Sequence, residues 1–359
     1  MKAALGVMAL AAALVLIGKA ERPETGWSFR LPPGFPRPRV PADNPMSSAK
    51  VELGRRLFYD VRLSGNGTQS CASCHVQSRA FTDGLANAVG STGEIHRRSS
   101  MSLTNIGYAS HLTWANPLVD GLEAQALAPM FGDAPTELGL ESAAQLEARL
   151  AGDKTLQGLA QEAFGAGGLT LDRVLKALAA FERTLISGRS PYDRYVGGEV
   201  SALSPEAQRG LELFFSERTE CFHCHGGFNF TDAFGHEGAE PERKFHNNGL
   251  YDLGAGAYPK RDQGLIEHSG RPEDMGRFKA PTLRNIDVTA PYMHDGSLAT
   301  LDAVIRHYEA GGRGGEANPR RDRFIRGFIL TDEERSDLIA FLESLTDPEF
   351  LADPRFGAP

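Results

Sequence analysis

The chain reads as a mainly α protein built in two halves, each wrapping irregular loops around one site. Three observations predict this. All four cysteines fall in two pentapeptides, CASCH at 71–75 and CFHCH at 221–225, with Cys221 150 positions after Cys71. Apolar residues recur at helical spacing in several segments, and no alternating strand run stands out. Forty glycines and 21 prolines in 359 residues call for much irregular structure, which suits loops folded over a large flat cofactor.

The elements follow in order. Residues 1–20 begin with Lys2 and run apolar from Ala3 to about Ile17, the pattern of a secretory signal. That run is too short for a confident membrane span, which needs about 20 apolar residues, so no stable membrane insertion is expected. Gly18, Lys19 and Ala20 are not a clean cleavage site, so an uncleaved anchor stays open. Residues 49–59 form a helix leading to the first pentapeptide. Helices at 141–150 and 171–186 are amphipathic, the second through Val174, Leu175, Leu178 and Phe181. Residues 187–200 connect the halves. Ser204, Pro205 and Glu206 start a helix that runs to Phe215. Residues 226–281 are long loops. A helix at 300–309 follows, and Thr331 with Glu334 is a capping box for a final helix to about Leu345. The expected domains are 21–190 and 191–359.

Cys-x-x-Cys-His is the attachment signature of c-type haem. The two cysteines bond to haem vinyl groups, and the histidine reaches iron from one side. A structural zinc site or a redox dithiol is the plainer alternative. Zinc would not need this motif twice, and no βαβ pattern for a dithiol surrounds either copy. The expectation is therefore two covalently bound haem c groups, held by Cys71, Cys74 and His75 and by Cys221, Cys224 and His225. Covalent haem attachment follows export, so the expected compartment is the periplasm. A net charge of −8 argues against nucleic acid as a partner.

A haem with two protein ligands moves electrons, whereas one with an open position binds peroxide or oxygen. Leu301, Val304, Ile305 and Tyr308 share one helix face. Tyr308 is thus a candidate second ligand or a core aromatic. His307, turned about 100° away, is expected at the surface. Met275 and Met293 are the alternative ligands, and neither sits on a periodic helix.

The run VELGRRLFYDVRLSGNGTQSCASCH at 51–75, the second CxxCH, and FKAPTLRNIDVTAPYMHDGSLATLDAV at 278–304 resemble the bacterial dihaem cytochrome c peroxidase and MauG superfamily. LTWANP, APMFGDAPTELGL, CFHCHGGFNF, HNNGLYD and DMGRFKAPTLRN are similar to its MbnH branch, dihaem enzymes associated with methanobactin-type copper systems. The resemblance implies two cytochrome c-like haem domains. His75 would be the ligand of an open, high-spin haem, and His225 that of a six-coordinate one. Counting from Pro291 of the PYxHDG motif, the family's second axial position falls on Tyr308. A phenolate there favours oxidised iron, so oxidising equivalents would be shared over both haems as a high-valent Fe(IV) state. Trp114 would relay charge between the haems; the plainer reading is a core tryptophan.

Further roles rest on the same resemblance. Gln125 and Glu137 would be the polar pair over the first haem, Glu137 acting as general acid/base, although two extra residues precede Glu137 and an exposed turn acid is the alternative. His294 would line the high-spin pocket or serve as a structural hydrogen bonder. The distal histidine of other members falls near Ser91, with His96 five residues on as a displaced version. Calcium between the halves would take carbonyls of Thr289 and Pro291, with Ser99 in place of an asparagine.

Three activities follow as candidates. A MauG/MbnH-like enzyme would use hydrogen peroxide to oxidise a partner protein, converting tryptophan to kynurenine on an MbnP-like periplasmic copper-binding protein. A cytochrome c peroxidase would reduce peroxide with electrons from a small cytochrome or cupredoxin. A dihaem electron carrier would have both irons six-coordinate. Tyr308 favours the first over the second, and the missing distal histidine disfavours the third.

Overall fold

Helices dominate the computed structural model, which describes residues 26–359; the expected leader at 1–20 lies outside them. Extended pairing among the described residues is limited to isolated bridges such as Val76 with Thr82 and His246 with Phe278. The mainly α expectation holds.

Two helix crossings organise the chain, and they repeat each other. In the first, Ser47 caps the Ser48–Phe58 helix, while Arg55 and Arg56 sit at its negative C-terminal end. It packs on the Leu171–Glu182 helix. The contact is so close that a Cβ on Gly54 would lie 1.9 Å from the Ala177 carbonyl oxygen. One turn further on, Phe58 and Phe181 meet edge to face at 5.3 Å. In the second, the Pro205–Phe214 helix crosses the Asp332–Glu343 helix. A Cβ on Gly210 would lie 1.9 Å from the Asp337 carbonyl oxygen, and Phe214 meets Phe341 at 5.1 Å. Glycine at the crossing lets two backbones touch, and the phenylalanine pair beyond it fills the wedge. Each crossing feeds one CxxCH turn.

Gly210→Ala should therefore cost about 1–3 kcal/mol by overpacking. Gly158→Ala is the control, since nothing lies within 4 Å of a Cβ there, and it should be neutral or stabilising by up to about 1 kcal/mol. Denaturant unfolding of the two variants measures both; equal midpoints would refute the close-crossing argument.

Several expected boundaries shift. The helix expected at 171–186 ends at Glu182, because the Leu185 carbonyl accepts from the Asn105 backbone and the Ser187 N–H donates to the Asn105 side chain. The expected connection at 187–200 contains the helix Pro191–Val196, opened by a Ser190/Asp193 capping box. Lys154–Phe164, capped by Asp153, was not expected as a helix. The Asp332–Glu343 helix has its capping box but is not the last, since Pro348–Ala352 follows.

Two hydrophobic clusters draw mainly on residues before and after residue 190, and a third joins Ala115 to Tyr258 and Phe278. Phe350 and Phe356 belong to the first cluster, not the second. Tyr59 and Gln77 bond to backbone carbonyls of this tail, so the chain's end returns to the half it began in. Asn105 and Asn285, both in left-handed conformation with φ of 57° and 61°, knit the halves. Asn105 donates to the Ser187 carbonyl and Asn229. Asn285 donates to Thr104 and Ser187 and accepts from the Asp347 backbone.

Candidate functional site

Each CxxCH forms a single helical turn that presents one histidine in a fixed orientation. His75 Nδ1 bonds the Phe81 carbonyl at 2.7 Å, and His225 Nδ1 bonds the Phe230 carbonyl at 3.1 Å. Both acceptors belong to residues with positive φ, Phe81 at 61° and Phe230 at 48°, so a tight backbone turn offers each carbonyl. A ring tied at Nδ1 leaves Nε2 as its ligating nitrogen, the arrangement that iron-binding histidines use. Burial holds both imidazoles below their ordinary pKa, keeping them neutral.

The cysteines are unbridged. Burial pushes Cys74 and Cys221 up to about 11, and pushes Cys71 up as well. A reactive dithiol needs the reverse shift. Among the described residues, the trio of ligand-type side chains close enough for a metal ion is Glu217, Glu220 and His223, with no cysteine in it. Neither the zinc nor the dithiol alternative is supported.

Cys221, Cys224 and His225 line a cavity of about 1630 Å³ including its mouth. The same cavity is lined by Leu301, Val304, Ile305 and Tyr308, so the helix face read from the sequence is the face that meets it. Burial pushes the Tyr308 phenol up to about 12, while a hydrogen bond from Asn248 works the other way, toward the phenolate. His307 corrects the sequence reading. It is half-buried, and its Nε2 bonds the Asn248 carbonyl at 2.9 Å. Of the methionines, Met293 reaches this cavity, its Sδ accepting from Asn248 at 3.3 Å. Met275 packs instead with Tyr258 and Phe278.

At the first site Glu137 lies close enough to Cys71 and Cys74 for its charge to raise both thiols. Burial pushes its own carboxyl above the usual range. The turn is pinned from behind: Ser91 bonds the Glu137 and Leu138 carbonyls, and Glu94 accepts from the Thr136 N–H. The backbone at Glu137 is therefore fixed, while its side chain stands 46% exposed. His96 Nδ1 stands 3.8 Å from its carboxylate, with the His96 side chain 14% exposed and Nε2 buried without a partner. Burial lowers its pKa, so it faces Glu137 as a neutral ring. Gln125 is half-buried at the end of the Leu122–Gln125 turn and makes no side-chain hydrogen bond among the described residues.

A wall separates this cavity from a second hollow between the halves, and Trp114, Lys279, Tyr292 and Met293 line both. Trp114 Nε1 donates to the Ser99 carbonyl at 3.0 Å. Ser99, Thr289 and Pro291, the expected calcium donors, all line the hollow. The Ser99 hydroxyl donates to the Met293 and His294 carbonyls. His294, expected to line the first pocket or to serve as a structural hydrogen bonder, is among the residues lining the cavity of the second CxxCH. Its ring stacks on Phe278 at 3.7 Å, and burial lowers its pKa to about 4.

Three site residues were not singled out from the sequence, although His246 and Lys279 lie within the HNNGLYD and DMGRFKAPTLRN motifs. His246 lines the second cavity, clamped by Asp232 at 2.8 Å and Asp322 at 2.7 Å. Burial opposes its charge, but the carboxylates prevail and hold its pKa up at about 12. Glu182, close to Cys71, is pushed up to about 8 by burial. Lys279 is buried in the shared wall. Only tertiary neighbours reveal them.

These residues fit haem: a large cavity, a thiol pair and an Nδ1-tied histidine at one wall, and a phenol with an amide partner in the same space. The comparisons agree. The family model described as Di-haem cytochrome c peroxidase matches residues 48–201. The chain is 37% identical to the cytochrome-c peroxidase IdrP1 of Denitromonas iodatirespirans, covering 91% of this chain and 90% of that one. It is 36% identical to the methylamine utilization protein MauG of Methylorubrum extorquens, covering 88% and 83%. A crystal structure of a MauG-like protein associated with microbial copper homeostasis superposes with a TM-score of 0.90 at 46% identity, over 93% of this chain and 99% of that one. The diheme peroxidase BthA of Burkholderia thailandensis, at 23% identity and a TM-score of 0.67, shares the fold.

Proposed function

From the premise that this chain belongs to the di-haem cytochrome c peroxidase and MauG family, we propose that it uses hydrogen peroxide to oxidise a partner protein. It is a di-haem oxidoreductase by family. The finer reading is MbnH-like, oxidising a tryptophan to kynurenine on an MbnP-like copper-binding protein in the periplasm. The observation that carries it is Tyr308 in one cavity with Cys221, Cys224 and His225. The solved MauG-like relative tied to copper homeostasis supports the branch.

In this reading Cys71, Cys74, Cys221 and Cys224 would hold two haem c groups by thioether bonds, His75 and His225 would bind iron, and Tyr308 would be a further ligand at the second site. The haem irons supply the electron exchange with peroxide. The remaining steps belong to side chains. Glu137 takes a proton from the incoming peroxide and returns it to the departing oxygen, with neutral His96 at 3.8 Å from its carboxylate and Gln125 as the second polar group of the proposed pair. Trp114, in the wall of the second cavity, carries charge between the sites. Asn248 orients the Tyr308 oxygen and favours its ionised form. Ser99, Thr289 and Pro291 hold calcium in the hollow between the halves, where oxygen donors suit a hard cation. Formally, two peroxides convert tryptophan to N-formylkynurenine with release of two waters, and hydrolysis then removes formate.

No helix among the described residues is long and apolar enough to cross a membrane. The export-type leader and the haem chemistry support the periplasm.

A second reading has its own observation. Met293 Sδ also reaches the second cavity, and thioether ligation raises haem potential. That would make the site an electron entry port for a peroxidase fed by a small cytochrome or cupredoxin.

One experiment separates the two. The diferric protein is mixed with one equivalent of hydrogen peroxide in a stopped-flow spectrometer, without reductant. Immediate spectral change at both haems is the expected result, and mass spectrometry of the partner then seeks the modified tryptophan. Silence until one haem is reduced would overturn the proposal in favour of the peroxidase.

A further inference from the structure

Lys279 stands in the wall between the second cavity and the hollow between the halves, and its backbone N–H donates to the Trp114 carbonyl at 2.8 Å. The residue is 7% exposed. Its ammonium has one partner, the His111 carbonyl at 3.2 Å, although an ammonium offers three donors. Other cations of the region carry their own anions. Arg98 is bidentate to Asp262, Arg284 to Asp193, and His246 is held by Asp232 and Asp322. Lys279 pairs with no carboxylate among the described residues, and burial alone lowers its pKa to about 7. An unpaired buried charge is strongly disfavoured, so a lysine kept here calls for an anion from outside the chain. The anionic groups a haem brings to such a cavity are its two carboxylate side chains.

We propose that Lys279 is an anion-binding residue of the second cavity, pairing with a haem carboxylate and fixing a positive charge beside Trp114. This rests on the two-haem reading. Lys279 is a positioning residue: it orients the haem and biases the second iron toward its reduced form, since a nearby cation disfavours the more positive oxidation state.

The test uses the holoprotein and the variants Lys279→Met, Lys279→Gln and Lys279→Arg. Gln keeps a donor for the His111 carbonyl and removes only the charge. Haem content per chain checks the underlying reading, and parental protein without two haems would sink that reading first. Spectroelectrochemical titration at alkaline pH then tests the proposal. Both neutral variants should shift the second haem at least tenfold toward the ferric form at a given potential, about 59 mV for one electron, and Arg should restore the parental midpoint. Neutral variants with two haems and a parental midpoint would overturn it.

Discussion

Tyr308→Phe should retain both haems and lose partner oxidation. The phenylalanine ring fills the same space on the Leu301–Glu309 helix, whose Thr300 cap and buried Leu301 and Ile305 are untouched, so the fold has no reason to change. What would disappear, in the proposed reading, is an oxygen ligand that donates charge. Axial-ligand identity moves haem potentials over roughly 0.8 V, and about 59 mV is a factor of ten for one electron. Even a fifth of that range, about 160 mV, would change the stability of an oxidised second site several-hundredfold. Partner oxidation should fall by at least about 100-fold, read by mass spectrometry of the partner. Haem content and the spectrum of the first haem should stay parental. The tyrosine reading fails if the variant modifies its partner at the parental rate. Met293 is then the residue to change, because it is the thioether that reaches the cavity.

The outcome matters because helical spacing placed Tyr308 on the face that meets the cavity, while its role as a ligand came from the family resemblance. Local patterns of this kind were the readable part of the chain: the CxxCH turns, the Ser204-Pro205 start and the Thr331 capping box are all set by residues within one helical turn. What depends on distant segments was not. His307 seemed a surface residue because its helix face is polar, yet the Asn248 loop, some 60 residues earlier, covers it. His294 follows a motif whose neighbours are clear, but its stack on Phe278 is a contact that no motif announces. The tail at 348–357 carries no mark that sends it back to the first cluster. Lys279 sits in the FKAPTLRN motif, but its burial without a carboxylate becomes visible only in three dimensions. The glycine crossings lie between these cases. Gly54 and Gly210 each precede a phenylalanine by four residues, a repeat visible in sequence only once the packing explains it.

Glu137→Gln should slow peroxide consumption by about 10²–10⁴-fold, the usual share of a general acid/base, while both haems load normally. Burial raises the Glu137 pKa, and the neutral His96 ring at 3.8 Å brings no positive charge to pull it down. The sign follows from the role. The carboxylate is the form that takes the peroxide proton, so the rate should rise with pH through a midpoint above the ordinary 4.5 of a glutamate. Glutamine has no proton to exchange, so its variant should lose that limb as well as the rate. A general effect of the substitution on folding would lower the rate without flattening the profile. Stopped-flow rates of peroxide reaction across the acid range separate the two outcomes. A variant that keeps the parental slope places the titrating group elsewhere, and Glu182, close to Cys71 with its carboxyl pushed up to about 8, would be the next to change. The pinned turn gives the assignment its strength: with Ser91 and Glu94 holding the backbone on either side of it, Glu137 can exchange a proton without the loop having to move.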